Sequence, residues 1–193
     1  MLRILLVRPG ATEYDKQGRI QGTLDIPLCE DGRHQVAAIC PDLQAAEPAA
    51  IYTSPCESCE QTAELISEPL DLRPKTVEKL KNLDHGLWQG MLIEDVKTKQ
   101  PKVYRQWREQ PETVCPPQGE TVLAAKARVA DVLRKVLKKH KSHKAVVIVA
   151  PEPLLSVVRH VLLLNELSDL WKPAAEGATW EAIEAPEVLL EHP

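Results

Sequence analysis

Three short apolar runs, each ending at or just before a proline, constrain the fold of this sequence more than any other feature. They cover Leu2 to Val7, Ala49 to Thr53 and Ala145 to Ala150. Runs of this length bounded by turn residues are typical of buried strands in a parallel sheet. Helix-like segments follow the second and third runs, at Glu57 to Ile66 and Leu154 to Leu164. This alternation of strands and helices predicts an α/β fold.

Two further stretches have a helical pattern. Apolar residues recur at helical spacing from Glu120 to roughly Lys139, which predicts an amphipathic helix packed on the sheet. The stretch from Asp31 to roughly Glu47 contains Pro41. Because proline fits the first turn of a helix but not its interior, we expect one helix to end near Cys40 and another to begin there.

Length and composition limit the classes of protein to consider. A chain of 193 residues predicts one domain over residues 1–193. The formal charge of -4 provides no general attraction to nucleic acid or membrane, so we expect neither as a partner. Without a long apolar run or a signal-peptide pattern, a cytoplasmic protein is expected. The five cysteines, an odd number at irregular spacing, favour reduced thiols over a disulfide framework.

Four segments, taken in order, resemble the motifs of one known family. They read Leu-Val-Arg-Pro-Gly-Ala-Thr-Glu from Leu6, Thr-Ser-Pro-Cys-Glu-Ser-Cys-Glu-Gln-Thr-Ala from Thr53, Leu-Lys-Asn-Leu-Asp-His-Gly-Leu-Trp-Gln-Gly from Leu80 and Pro-Pro-Gln-Gly-Glu-Thr from Pro116. Together they span most of the chain and resemble the histidine phosphatase, or phosphoglycerate-mutase-like, superfamily. The resemblance implies a three-layer α/β fold, with a mostly parallel sheet and helices on both faces.

The resemblance also implies where catalytic residues would lie. In that family a histidine of the first motif attacks the phosphoryl group, while a second histidine and two arginines hold its oxygens. A carboxylate on another loop protonates the leaving oxygen. Here the corresponding positions hold Pro9 for the nucleophile, Pro151 for the second histidine, Ser58 for the second arginine and Asn82 for the acid; the first arginine, Arg8, remains.

These four replacements remove the family's chemistry. A proline side chain has neither a lone pair nor a donor, so Pro9 cannot take up a phosphoryl group and Pro151 cannot bind one. Each lost hydrogen bond to a charged group typically costs about 1.5–3 kcal/mol. The sequence therefore predicts a catalytically inactive histidine-phosphatase-like protein that is not an enzyme and acts by binding or scaffolding.

A residual binding role would use the former phosphate pocket. We expect Arg8, Asp15 and Glu152 to lie there, with the two carboxylates opposing an anion. No residue pattern calls for a metal or another cofactor, so none is expected. The partner is predicted to be a protein or a small molecule of unspecified kind, and association of identical chains is left open.

Two alternatives use other side chains. The first is a hydrolase, a phosphatase or esterase, with relocated catalytic groups in the same cleft: Asp15, His85, Glu152 or a cysteine. The second is a redox protein built on the pair Cys56 and Cys59, near the start of a predicted helix. Both cysteines occupy small or apolar positions of the family motif, which favours buried structural thiols over a redox pair.

Overall fold

A five-stranded sheet forms the centre of the computed structural model, which describes residues 2–165, 167, 170–171 and 177–186. In chain order the strands are β1 (Arg3–Arg8), β2 (Ile51–Thr53), β3 (Pro74–Thr76), β4 (Ala145–Val149) and β5 (Thr179–Glu184). They are arranged β3-β2-β4-β1-β5. The first four are parallel and only β5, at one edge, is antiparallel to its neighbour β1.

Seven α-helices surround this sheet in the described part of the chain. They are α1 (Glu13–Gln17), α2 (Glu30–Ala45), α3 (Glu57–Leu70), α4 (Ile93–Lys99), α5 (Pro101–Glu109), α6 (Val122–Lys139) and α7 (Leu154–Leu163). Three short 3₁₀ helices lie at Glu78–Leu80, Gly86–Trp88 and Pro111–Thr113. None of the described helices is both long and apolar enough to cross a membrane.

The three inner strands of the sheet, β1, β2 and β4, are buried on both faces. Successive residues of a strand point to opposite faces, so Ile4 and Leu6 enter one apolar cluster while Leu5 and Val7 enter another. The first cluster is completed by α6 and α7, and the second by α2 and α3. The predicted fold class, a three-layer α/β arrangement with a mostly parallel sheet, is confirmed.

The predicted helix break at Pro41 is wrong. Helix α2 runs through Pro41 without interruption from Glu30 to Ala45. Proline removes the hydrogen bond that its own N–H would make to the carbonyl of Ala37. Both residues are exposed, so this carbonyl lies on the solvent face of the helix. The buried residues Val36 and Leu43 on the opposite face then hold both halves of the helix against the core.

The topology brings two loops together at one edge of the sheet. Strands β1 and β4 are parallel neighbours, with Val7 opposite Val149. Pro9 and Pro151 each follow two residues beyond this pair. Because the carboxyl ends of parallel strands meet at the same edge, the loops after β1 and β4 form the two sides of one crevice, which is where open α/β sheets usually bind ligands.

Candidate functional site

A cleft of about 900 Å³ opens at the carboxyl ends of β1 and β4. Six of the seven residues predicted from the sequence line it: Arg8, Pro9, Asp15, Ser58, Pro151 and Glu152. The seventh, Asn82, is not among the described residues that line the cleft. The roles assigned to these positions by resemblance stay predictions, but the structure does bring six of the side chains to one place.

Arg8 extends from the end of β1, and its neighbours include Asp15 and Gly177. Its Nη2 donates to Asp15 Oδ1 at 3.4 Å, and its Nη1 donates to the carbonyl of Gly177 at 3.4 Å. The other oxygen of Asp15 accepts hydrogen bonds from the backbone N–H and the hydroxyl of Thr12, each at 2.7 Å, and so caps α1. An anion that binds Arg8 therefore meets the charge of Asp15.

The two prolines and Ser58 form a deeper part of the cleft wall, and all three are buried. Pro9 and Pro151 provide no polar side-chain atom. Ser58 lies in the first turn of α3, where its Oγ is 3.7 Å from Cys56 Sγ. Its hydroxyl is therefore the only polar side-chain group that these three residues offer to a bound molecule.

Glu152 follows Pro151 and is only partly buried. Its Oε2 accepts hydrogen bonds from the Ser156 hydroxyl at 2.8 Å and from the Ser156 backbone N–H at 3.2 Å. Within the described residues Oε1 has no hydrogen-bond partner. One oxygen thus anchors the carboxylate to the first turn of α7, and the other makes no hydrogen bond to a described residue.

Asn82 joins three segments beneath the cleft and is only 1% exposed. Its Nδ2 donates to the carbonyls of Gly22 at 2.9 Å and Glu152 at 3.0 Å. Its Oδ1 accepts from the backbone N–H groups of Leu83 at 2.9 Å and Leu154 at 3.3 Å. An amide side chain offers two donor hydrogens and two acceptor lone pairs, and all four are used.

His85 reaches the cleft wall but is fully buried. Its Nδ1 is 3.1 Å from the carbonyl of Leu83, and its Nε2 accepts from the indole N–H of Trp171 at 3.3 Å. This pattern fixes the neutral tautomer that carries its proton on Nδ1. Burial is the main cause that lowers the pKa of His85 to about 4. Because both ring nitrogens are occupied, His85 is a poor proton acceptor for a bound substrate.

Cys56 and Cys59 are buried free thiols in the core between α3 and the sheet. A side-chain hydrogen bond from Cys59 is the main cause that lowers the pKa of Cys56 to about 7, while burial raises the pKa of Cys59. Neither cysteine is among the described residues that line the cleft. In the same part of the chain, no group of three or more His, Cys, Asp or Glu side chains is arranged to hold a metal ion.

Three residues of the site were not found from the sequence. Gln35 on α2 lines the cleft, and its Oε1 accepts the backbone N–H of Ala11 at 3.0 Å. Ser156 anchors Glu152, and Trp171 donates to His85. Only the spacing of Glu152 and Ser156, four residues apart at a predicted helix start, was a usable signal. Gln35 and Trp171 lie outside the four sequence segments that carry the resemblance, so those segments gave no signal for them.

Comparison with known proteins identifies the relatives of this chain. The model of the family described as Histidine phosphatase superfamily (branch 1) matches residues 4–187. Phosphoserine phosphatase 1 of Hydrogenobacter thermophilus is 32% identical over 187 residues, which are 97% of this chain and 88% of that protein. The metal-independent phosphoserine phosphatase of Arabidopsis thaliana is 32% identical over 149 residues, 75% of this chain. The chain covers 62% of that relative, less than two thirds of its length.

A solved structure is similar over nearly the whole fold. The structure of mycobacterial glucosyl-3-phosphoglycerate phosphatase complexed with VO3 superimposes with a TM-score of 0.86. The two sequences are 26% identical, and the match covers 97% of this chain and 93% of the other. The resemblance read from the four sequence segments is confirmed at the level of both family and fold.

The prediction of an inactive protein that acts by binding or scaffolding is wrong, and so is the prediction that the chain is not an enzyme. The relatives are phosphatases, and the similarity to one of them extends over 97% of the chain. The prediction gave the four replaced positions more weight than the alternative of relocated catalytic groups in the same cleft. Arg8, Asp15 and Glu152 still place charged groups there. The alternative of a hydrolase with relocated groups is better supported.

Proposed function

The chain belongs to the histidine phosphatase superfamily, and we propose that it is a phosphatase that hydrolyses a small phosphate monoester in the cleft at the ends of β1 and β4. The observation that carries the proposal is the chain-long similarity to a phosphoserine phosphatase. Phosphoserine is therefore the first substrate to test. The size of the cleft, about 900 Å³, supports a ligand of this class.

The side chains of the cleft suggest how a phosphate monoester is held. Arg8 is a charged donor of the cleft wall, and a guanidinium matches phosphoryl oxygens in geometry and charge. The hydroxyl of Ser58 is a neutral donor among the side chains that line the same cleft. Because Asp15 already lies 3.4 Å from Arg8, phosphate binding is expected to be weaker than at an arginine without a neighbouring carboxylate.

The nucleophile differs from that of the family. Pro9 has no side-chain atom that can take up a phosphoryl group. We therefore propose direct attack of water on phosphorus, with no covalent intermediate at residue 9. The new bond joins the water oxygen to phosphorus, the ester P–O bond breaks, and the products are the free alcohol and inorganic phosphate.

Release of inorganic phosphate tests this function. We expect the purified protein to hydrolyse phosphoserine or p-nitrophenyl phosphate, and Arg8→Ala to lower kcat/KM by about 10- to 150-fold, since a hydrogen bond to a charged group is worth about 1.5–3 kcal/mol. Arg8→Lys keeps the charge but not the planar donor pair, so its kcat/KM should lie between those of the wild type and Arg8→Ala. Arg33→Ala, which removes an exposed arginine on α2, is the matched control.

Two results would contradict the proposal. One is wild-type protein that releases no phosphate above a blank from any of a broad set of phosphate monoesters. The other is activity that Arg8→Ala leaves unchanged while its melting temperature shows that it is folded, because such activity would come from a different site or a contaminant.

A further inference from the structure

The carboxyl groups that line the cleft differ in what their oxygens already bind. Asp15 accepts hydrogen bonds at both oxygens, from Arg8 at one and from Thr12 at the other. Asp31 and Glu94 are exposed and form ion pairs with lysines of the rim. Glu152 alone combines partial burial with one anchored and one open oxygen among the described lining carboxylates.

The position of Glu152 is fixed from two directions. Its side chain is anchored at Oε2 by both polar groups of Ser156. Its backbone carbonyl accepts from Asn82 Nδ2 at 3.0 Å, and the N–H of Leu154 donates to Asn82 Oδ1 at 3.3 Å. Asn82 therefore clamps the backbone on both sides of Pro153. The turn that presents Glu152 to the cleft is held by a buried side chain.

Glu152 and Arg8 lie at the ends of neighbouring strands. Val7 of β1 pairs with Val149 of β4, so the loop carrying Glu152 and the end of β1 carrying Arg8 are neighbours at the same edge of the sheet. Both side chains line the same cleft. A phosphate monoester bound at Arg8 would present its ester oxygen within the space that these two loops enclose.

We propose that Glu152 is the general acid of this phosphatase and that Asn82 is its positioning residue, an inference that rests on the proposed function. When water attacks phosphorus and the ester P–O bond breaks, Glu152 transfers a proton to the departing alkoxide oxygen. The proton lost by the attacking water passes to solvent, and Glu152 is reprotonated from solvent. The carboxylate that the family places at the position of Asn82 is thus supplied from the next loop.

A purely structural role of Glu152 predicts different behaviour. Its Oε2 receives the N–H of Ser156 in the first turn of α7, so the residue also stabilises the start of that helix. Glutamine can keep this contact through its amide oxygen but carries no acidic proton. Glu152→Gln therefore separates the two roles, and a thermal melt shows whether the helix contact survives.

The experiment compares two substrates that differ in their need for an acid. The alkoxide leaving from phosphoserine is strongly basic and needs a proton, whereas the p-nitrophenolate leaving from p-nitrophenyl phosphate is stable without one. We expect Glu152→Gln to lower kcat for phosphoserine by about 10²–10⁴-fold and kcat for p-nitrophenyl phosphate by less than about tenfold. Glu64→Gln, an exposed carboxylate on α3, should change neither.

The outcomes separate this inference from the function on which it rests. A wild-type protein that hydrolyses neither ester overturns the proposed function and the inference together. A wild-type protein that hydrolyses both, with equal losses or no loss in Glu152→Gln, overturns only the role of Glu152. Asn82→Ser provides a further readout: a positioning role predicts that this folded variant loses more phosphoserine than p-nitrophenyl phosphate turnover, and equal losses would contradict it.

Discussion

Two groups of polar side chains lie close together at the same end of the sheet, yet the fold uses them differently. The buried polar junction consists of Asn82 and His85, whose hydrogen-bonding positions are all filled by protein groups. The cleft wall carries Arg8, Asp15 and Glu152, which are partly buried or exposed. At Glu152, one carboxyl oxygen remains open within the described structure.

The difference shows how the burial of a polar side chain decides whether it serves stability or ligand binding. A buried polar group left without a partner costs about 1–3 kcal/mol, so Asn82 and His85 are committed to the fold. A group at the edge of a cleft is solvated when no ligand is present, and it can exchange water for substrate at little cost. We therefore expect changes in the junction to alter stability most, and changes in the cleft wall to alter binding and turnover.

The largest effect on stability is expected at Asn82. Asn82→Ala leaves two carbonyls and two N–H groups of three buried segments without partners, and we expect the free energy of unfolding to fall by about 3–5 kcal/mol. Gln44→Ala removes an exposed amide with one hydrogen bond and should cost no more than about 0.5 kcal/mol. Urea denaturation of both variants measures the difference.

Asn82→Ser provides a milder change if the alanine variant does not fold. Its hydroxyl can donate one hydrogen bond and accept another, so its loss of stability should lie between wild type and Asn82→Ala. If neither variant differs from Gln44→Ala, the junction is not the stabilising element that its hydrogen bonds suggest.

The next largest effect is the pH dependence that His85 gives to stability. Burial lowers its pKa to about 4, whereas an unfolded histidine binds a proton near pH 6.5. The contribution of neutral His85 to the free energy of unfolding is therefore fully present above pH 6.5. It is lost as the pH falls towards 4, by about 3 kcal/mol in total. Chemical denaturation between pH 7.5 and 4.5 follows this loss.

His85→Phe is the control for this measurement, because it has no proton to gain. Burial also lowers the pKa values of His140 and His160, but their contribution is the same in both proteins. The wild type should therefore lose more stability than His85→Phe over the same pH range. Parallel curves for the two proteins would show that His85 is not kept neutral by its burial.

The smallest effect tests the cleft wall. Asp15→Asn removes the negative charge 3.4 Å from Arg8 while its side-chain oxygen can still cap Thr12. Exposed ion pairs are worth about 1 kcal/mol or less, so we expect the Kd of inorganic phosphate to fall by up to about fivefold. Thermal melts in phosphate and in chloride at matched ionic strength measure the change.

Glu13→Gln is the matched control, since it removes an exposed carboxylate that lies two residues before Asp15 and pairs with Lys16 instead of Arg8. It should leave phosphate affinity unchanged. If Asp15→Asn binds phosphate no better than Glu13→Gln, then Arg8 is not the anion-binding group of the cleft.

Local patterns in the sequence were sufficient for the main elements of the fold. The apolar run of β1, the buried strand β4 and the amphipathic helix α6 were each predicted from residues within the element itself, because their burial follows the period of the backbone. Strands β3 and β5 were not predicted. Both are edge strands whose side chains are mostly exposed or half-exposed, so neither has an apolar pattern to detect.

The family and the fold class followed from the sequence. The assignment of Pro9, Pro151, Ser58 and Asn82 to the family's catalytic positions stays a prediction from resemblance, and what surrounds these residues depended on the tertiary structure. The four partners of Asn82 come from residues 22, 83, 152 and 154, and no local pattern connects segments so far apart. Likewise, the continuity of α2 through Pro41 depends on which face of the helix meets solvent. A lost side chain can be read from the sequence, but the groups that the fold places around the vacated position depend on long-range packing.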